Sequence, residues 1–227
     1  LFMSKITSRL FPLILLSLLF PSLILNAILY KKSQNPEQGI KVLGVIDGDT
    51  LVLDGKVRLR LRSVDAPELD FCGGPEAKEK LSLLVADRQV VIKEQIIDQL
   101  GRPMGLVYVD GKLVNQQILS SGWGRFHSDT TDERENLKSA YDKAREEKLG
   151  IWGPKCQQTE NPDNPKCNIK GNIDKNSDRR NYYFPGCVQY DFTIVEKDTG
   201  ENWFCSEKEA QTAGYTRSKT CLKPYVP

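Results

Sequence analysis

Asp49, Asp65 and Glu68, with Arg60, stand at the ends of neighbouring strand-like runs in this chain. They lie in Val45-Ile46-Asp47-Gly48-Asp49-Thr50 and, after a short gap, in Arg60-Leu61-Arg62-Ser63-Val64-Asp65-Ala66-Pro67-Glu68. Carboxylate oxygens hold hard divalent cations, and a planar guanidinium grips phosphate oxygens two at a time. Side chains of these types, so spaced, suit chemistry on a phosphodiester beside a metal ion.

Asp-Gly between apolar runs is by itself a hairpin signal. Asp54-Gly55 and Asp110-Gly111 read as ordinary turns of that kind. The first Asp-Gly differs because Asp49 and Thr50 follow it and Asp65 and Glu68 end a nearby run. Folding has no use for such a concentration of acid, since a buried carboxylate is unfavourable unless it is paired or holds a metal.

The elements that must position these residues follow from hydrophobic period. Ile40 to Ile46, Thr50 to Leu53 and Lys56 to Val64 read as three strands. In the third, Val57, Leu59 and Leu61 alternate with Arg58, Arg60 and Arg62, one apolar face and one cationic. Gly74-Pro75 opens a helix with proline at its first position, and Ala77, Leu81, Leu84 and Val85 form its stripe. Val90 to Ile97 and Gly105 to Val109 read as two more strands. A short helix runs from about Val114 to Gly122. A longer one starts near Asp132, where Asp132-Glu133-Arg134-Glu135 resembles a capping box; its stripe is Leu137, Ala140, Tyr141 and Ala144, and Gly150 ends it. Five strands with three helices predict an α+β, mainly β fold: a partly open five-stranded barrel of the OB type.

Around this unit the composition shifts. Leu10 to Tyr30 is an uncharged, Leu-rich run of 21 residues, long enough to cross a hydrocarbon core of ~30 Å as a helix. Lys5 and Arg9 precede it, which sets the remainder outside. Leu25-Asn26-Ala27 lacks the outer small residue of a cleavage site, so an uncleaved signal anchor over residues 1–32 is expected ahead of a cleaved signal peptide, with a tether over 33–39. The cysteines Cys72, Cys156, Cys167, Cys187, Cys205 and Cys221 form no C-x-x-C pair, and the one histidine is His127. Structural zinc is therefore not expected, and an even count in an exported chain reads as disulfides. The net charge of +2 carries no message about nucleic acid: residues 1–39 hold four basic and one acidic residue, 40–156 hold 18 and 19, and 157–227 hold ten of each. Polyanion binding must come from a local arrangement rather than a bulk field.

Residues from about Ile40 to Trp152, within a nuclease domain expected over 40–156, resemble the thermonuclease (staphylococcal nuclease-like) family. The likeness rests on Asp47-Gly48-Asp49-Thr50, Arg60 ahead of Asp65-Ala66-Pro67-Glu68, Gly74-Pro75-Glu76-Ala77, Asp98-Gln99-Leu100-Gly101-Arg102, Val107 through Asn115, and Lys148-Leu149-Gly150-Ile151-Trp152. The resemblance implies a calcium ion held by the carboxylates of Asp49 and Asp65 and the backbone carbonyl of Ala66, where the family often has threonine. Asp47 has two readings, a metal contact through water or a cap on its turn. Glu68 would orient or deprotonate the attacking water, and Arg60 and Arg102 would clamp the scissile phosphate. Gln99 and Leu100 replace a lysine and tyrosine that often contact the nucleotide. Base-stacking tyrosines after Gly122 are missing, with Trp123, Phe126 and His127 as substitutes; His127 otherwise reads as a surface residue.

Residues 157–166, with two prolines and no apolar side chain, read as a linker. Residues 167–227 form a small cysteine-containing module that resembles a segment appended to some exported bacterial nucleases of this family. Tyr182, Tyr183, Tyr190 and Trp203 there either contact nucleic acid or envelope, or form the module's own core, the reading preferred because small modules need staples. Ser206-Glu207-Lys208-Glu209 is a capping box for a helix that Gly214 ends. The expected disulfides are Cys167–Cys187 and Cys205–Cys221, with Cys72–Cys156 as the remaining pair. The functional expectation is an exported, calcium-dependent endonuclease, monomeric, membrane-anchored facing outward or secreted. It would cut DNA and RNA, preferably single-stranded or unpaired, to 3′-phosphate products. The alternative is a non-catalytic OB-fold nucleic-acid binder or cell-surface module.

Overall fold

In the computed structural model, which describes residues 39–222, 224 and 225, the alternating leucines and arginines become one stave of a closed barrel. Strands β1 (Ile40–Val45), β2 (Thr50–Leu53) and β3 (Val57–Leu61) form an antiparallel meander. The two-residue β4 (Val64–Asp65) follows, then helix α1 (Gly74–Val85), β5 (Gln89–Ile97) and β6 (Pro103–Val109). β5 pairs with both β1 and β6. The parallel pairing of β3 with β6, Arg60 beside Met104 and Leu61 beside Gly105, then shuts the sheet. Five strands were expected; the closure was not, because it joins runs far apart in sequence.

Closure is sealed by one amide. After β7 (Lys112–Leu113), helix α2 (Val114–Ser120) carries Asn115, wholly buried. Its Oδ1 accepts from Val107 N at 2.9 Å, and its Nδ2 donates to the carbonyls of Arg62 at 2.8 Å and Gly105 at 3.2 Å. Leu51, Leu59, Leu61, Leu81, Leu106, Ile118 and Leu119 fill the interior with no exposed surface, each contributing roughly 1.5–3 kcal/mol. Of the three arginines of β3 and its extension, Arg58 is solvated. Arg62 is buried, its Nη1 on Glu94 O at 2.9 Å and on the Glu94 carboxylate at 3.3 Å, and Arg60 is the one of the three that meets Asp49 and Asp65.

Strand β8 (Arg125–Phe126) pairs with β4, Val64 beside Phe126 and Asp65 beside Arg125. Helix α3 (Arg134–Glu146) buries Leu137 and Ala144, with Ala140 and Tyr141 partly covered. The expected capping box at Asp132 does not form: the N-cap is Glu133, with no side-chain cap bond. Tertiary contacts claim those residues instead, as Tyr108 Oη donates to Glu133 at 3.2 Å and Asp132 N to Glu94 at 3.3 Å. The helix also stops at Glu146, short of Gly150, which opens a 3-10 turn.

Gln157 and Gln158, read above as the start of a linker, form β9 and pair with β12 (Val195–Glu196). The remaining small sheet has β10 (Ile169–Ile173) between β13 (Trp203–Phe204) and β11 (Arg180–Tyr183), with β14 (Thr216–Arg217) beyond. Tyr182 is fully buried in its core, and Tyr183 and Tyr190 pack against it. Helix α4 (Glu207–Thr212) is capped as expected, Glu209 N donating to Ser206 Oγ at 3.2 Å. The Cys72–Cys156 disulfide forms; the other expected pairs are replaced by Cys167–Cys205 and Cys187–Cys221. β10 pairs with β13, Ile169 beside Phe204, which brings Cys167 to Cys205 and leaves Cys187 for Cys221. The signal anchor at 1–32 lies outside the described residues. Among the described residues no helix is long and apolar enough to cross a membrane.

Candidate active site

Asp49 sits where the Asp-Gly turn enters β2, beneath the β3–β4 corner. Gly48 is required there, since a Cβ would lie 2.5 Å from the Cβ atoms of Ala66 and Ala77. Asp47 Oδ1 accepts from Asp49 N at 3.1 Å, which caps the turn. Asp49 is 1% exposed. Its Oδ1 accepts from Thr50 Oγ1 at 2.9 Å and Arg60 Nη1 at 2.5 Å, and its Oδ2 from Ala66 N at 2.9 Å. Burial pushes its carboxyl up to about 7, against the opposing pull of Arg60 and the Ala66 amide.

Arg60 is the hub. One guanidinium nitrogen takes Asp49, and the other reaches Asp65 Oδ1 and the Val64 carbonyl. Asp65 is half exposed, so this fork ties a buried acid to a solvated one. Arg60, Asp65, Asp98, Arg102, His127 and Asp129 line one cleft of about 540 Å³. Arg102 is brought there by its own turn: Asp98 Oδ1 accepts from Leu100 N at 2.9 Å and Arg102 N at 2.7 Å, and Asp98 Oδ2 from Arg102 Nε at 2.7 Å. The Arg102 amide, above all, holds the Asp98 carboxyl below its ordinary range.

Glu68 lies on the other side of Asp65. With Asp65, Ala66, Phe71, Arg125, Asp198 and Thr199 it lines a second cavity of about 160 Å³. Asp65 is thus common to both hollows, one lined by the two arginines and the other by Glu68. His127 is exposed on the cleft, its Nδ1 3.1 Å from Asp129 Oδ1. Trp123 and Phe126 pack against the core instead of lining the cleft. Sequence reasoning named Asp98 in its motif but gave it no role, although an aspartate two residues before Leu100-Gly101 is a turn signature. It missed Arg125 and Asp198, for which no local signal exists.

Among the described residues no three His, Cys, Asp or Glu side chains are grouped closely enough to hold a metal alone. The donor set nonetheless suits a hard cation completed by backbone oxygen, water and phosphate oxygens. Asp49 is a desolvated carboxylate that gains from any positive partner, and Asp65 is an accessible second one.

The sequence profile of the family described as "Staphylococcal nuclease homologue" matches residues 58–154. That span includes Arg60, Asp65, Ala66, Glu68 and Arg102, while Asp47 and Asp49 precede it. The chain is 30% identical to the "Micrococcal nuclease" of Shigella flexneri over 135 residues, 52% of this chain and 76% of the relative. It is 33% identical to an "Uncharacterized endonuclease" of Escherichia coli O157:H7 over 120 residues, 49% and 75%. To the "Probable staphylococcal-like nuclease CAN2" of Oryza sativa subsp. japonica it is 32% identical over 129 residues, 57% and 33%. The matched part of the chain spans about a third of the length of that plant relative.

Proposed function

This chain belongs to the staphylococcal nuclease homologue family, and we propose that it is an exported, calcium-dependent endonuclease. Its substrates are DNA and RNA, single-stranded or unpaired, and its products carry a 3′-phosphate. One observation carries the reading: Arg60 and Arg102 come from separate strands and turns to line one cleft with Asp65, and Arg60 also binds buried Asp49. Two guanidinium groups beside carboxylates are what a phosphodiester needs as charge builds on its oxygens.

Calcium bound by Asp49, Asp65 and the backbone oxygen of Ala66 would neutralise phosphate charge and fix its orientation. Arg60 and Arg102 clamp the non-bridging oxygens and strengthen their hold as negative charge accumulates. Glu68, on the far side of Asp65, accepts a proton from the attacking water. The new bond forms between that water oxygen and phosphorus. The phosphorus–O5′ bond breaks, and the 5′ oxygen leaves as a hydroxyl after taking a proton from solvent. Export, as a membrane-anchored or secreted monomer, is supported by the apolar run Leu10 to Tyr30 and by three disulfides, which persist in oxidising compartments.

The test incubates the purified protein with a single-stranded DNA oligonucleotide in calcium, then in EGTA, and scores cleavage and binding. Calcium-dependent cleavage with 3′-phosphate ends is expected. Binding without cleavage overturns this reading in favour of a non-catalytic OB-fold binder.

A further inference from the structure

Arg125 stands on β8 directly beside Asp65. Its guanidinium lies 4.6 Å from the Trp152 ring centre; Nε donates to Asp198 Oδ2 at 2.8 Å, while Nη2, buried without a hydrogen bond, is ion-paired with Asp198 Oδ2 at 2.7 Å and Glu196 at 3.4 Å. Asp198 is almost fully buried, and its Oδ1 accepts from Gln157 Nε2 at 2.8 Å. A surface that had only to hold the C-terminal module in place is served well by apolar contact. This one buries a charge pair, unfavourable unless fully partnered, behind the strand that carries Asp65.

The same stretch of the module grips the loop that carries Glu68. Phe71 N donates to Glu68 O at 2.9 Å, closing that loop. Cys72 N donates to Lys197 O at 3.3 Å, Lys197 N to Cys156 O at 2.8 Å, and Cys72 is bonded to Cys156. Gly200 faces the Phe71 ring so closely that a Cβ would lie 2.6 Å from Cζ. The cavity beside Glu68 is accordingly walled by Asp65, Ala66 and Glu68 on one side and by Asp198 and Thr199 on the other. The family profile ends at residue 154, so nothing in it assigns these module residues a part.

We propose that the C-terminal module is part of the catalytic unit: Asp198, acting through Arg125, and Lys197 and Gly200, acting through the Phe71–Cys72 loop, are positioning elements for Asp65 and Glu68. None of them touches the reacting atoms. Their work is to hold two acids to the sub-ångström tolerance that water activation demands. The inference rests on the nuclease reading above.

The test compares the full, oxidised chain with Asp198→Asn, Phe71→Ala and Tyr182→Phe, measuring kcat and KM on a short single-stranded DNA in calcium, with thermal unfolding as the check on folding. Asp198→Asn should lower kcat about 10-fold to 100-fold and leave KM within about 2-fold, because substrate is gripped elsewhere, by Arg60 and Arg102. Phe71 is about a third exposed, so its truncation should leave the chain folded while loosening the Glu68 loop, and should lower kcat in the same way by a smaller factor. Tyr182→Phe removes a bond within the module's own core, from Tyr182 Oη to Glu207, and should cut like the wild type. Wild-type kcat in both folded Asp198→Asn and Phe71→Ala overturns the proposal, as does an equal loss in Tyr182→Phe. If Asp198→Asn does not fold, Phe71→Ala decides. A wild-type protein that does not cut at all overturns the nuclease reading itself, and this one with it.

Discussion

The Arg60 guanidinium donates to buried Asp49 at 2.5 Å, so the arginine proposed above as a phosphate clamp is also the counter-charge of a desolvated acid. Arg102 has no such second duty. It is half exposed, and among the described residues its side chain is held by Asp98 of its own turn.

Removing the two arginines should therefore have unequal effects. Arg60→Ala strands a buried carboxylate and should lower unfolding free energy by about 3–5 kcal/mol, besides abolishing cleavage. Arg102→Ala should cut kcat by about 10²-fold or more with stability within about 0.5 kcal/mol of wild type. Urea unfolding and single-turnover cleavage read both; an equal loss of stability would remove the distinction drawn here.

Calcium should raise the melting temperature, since a ligand that binds only the folded state stabilises it by about 2.7 kcal/mol at a hundred times its Kd. Asp65→Asn, at an exposed position, should leave the metal-free melting temperature unchanged and remove most of the calcium increment. Scanning calorimetry with and without EGTA decides it. A variant that keeps the full increment takes Asp65 out of the ligand set.

Asn115→Ala should destabilise the barrel by about 2–4 kcal/mol, because the Val107 amide and the Arg62 and Gly105 carbonyls lose a partner in a dry interior. Denaturant titration measures the loss, and amide hydrogen exchange should localise it to the β3–β6 seam. A variant as stable as wild type would mean that the seam holds without its amide.

Burial pushes the Glu201 carboxyl up from 4.5 to about 7, although the Ile173 and Glu196 amides pull it back. Below about pH 4.5 the group is protonated in both folded and unfolded chains and contributes no pH dependence. Between there and about 7 the folded state keeps a proton that the unfolded state has lost. Stability therefore falls as pH rises through that window, by at most ~1.4 kcal/mol per pH unit. Glu201→Gln abolishes the titration. The wild-type-minus-variant stability should decline across the window in urea unfolding; a flat or rising difference contradicts the assignment.

Much of the site was legible because its signals are short. The Asp47-Gly48-Asp49-Thr50 turn, the alternation around Arg60 and the Asp65-Ala66-Pro67-Glu68 corner each depend on backbone period and local turn chemistry, which neighbouring residues settle among themselves. The Ser206 capping box formed for the same reason, whereas the one at Asp132 lost to contacts from Glu94 and Tyr108.

By itself the sequence determined five strands, their order, and which acids and arginines end them. Only the tertiary structure decided that β3 meets β6 to close the barrel, that Cys167 takes Cys205, and that Asp198 reaches Arg125 beside Asp65. Each of those is a pairing between distant segments. Its outcome depends on which surfaces compete for burial once the chain is compact, and no local pattern encodes that competition.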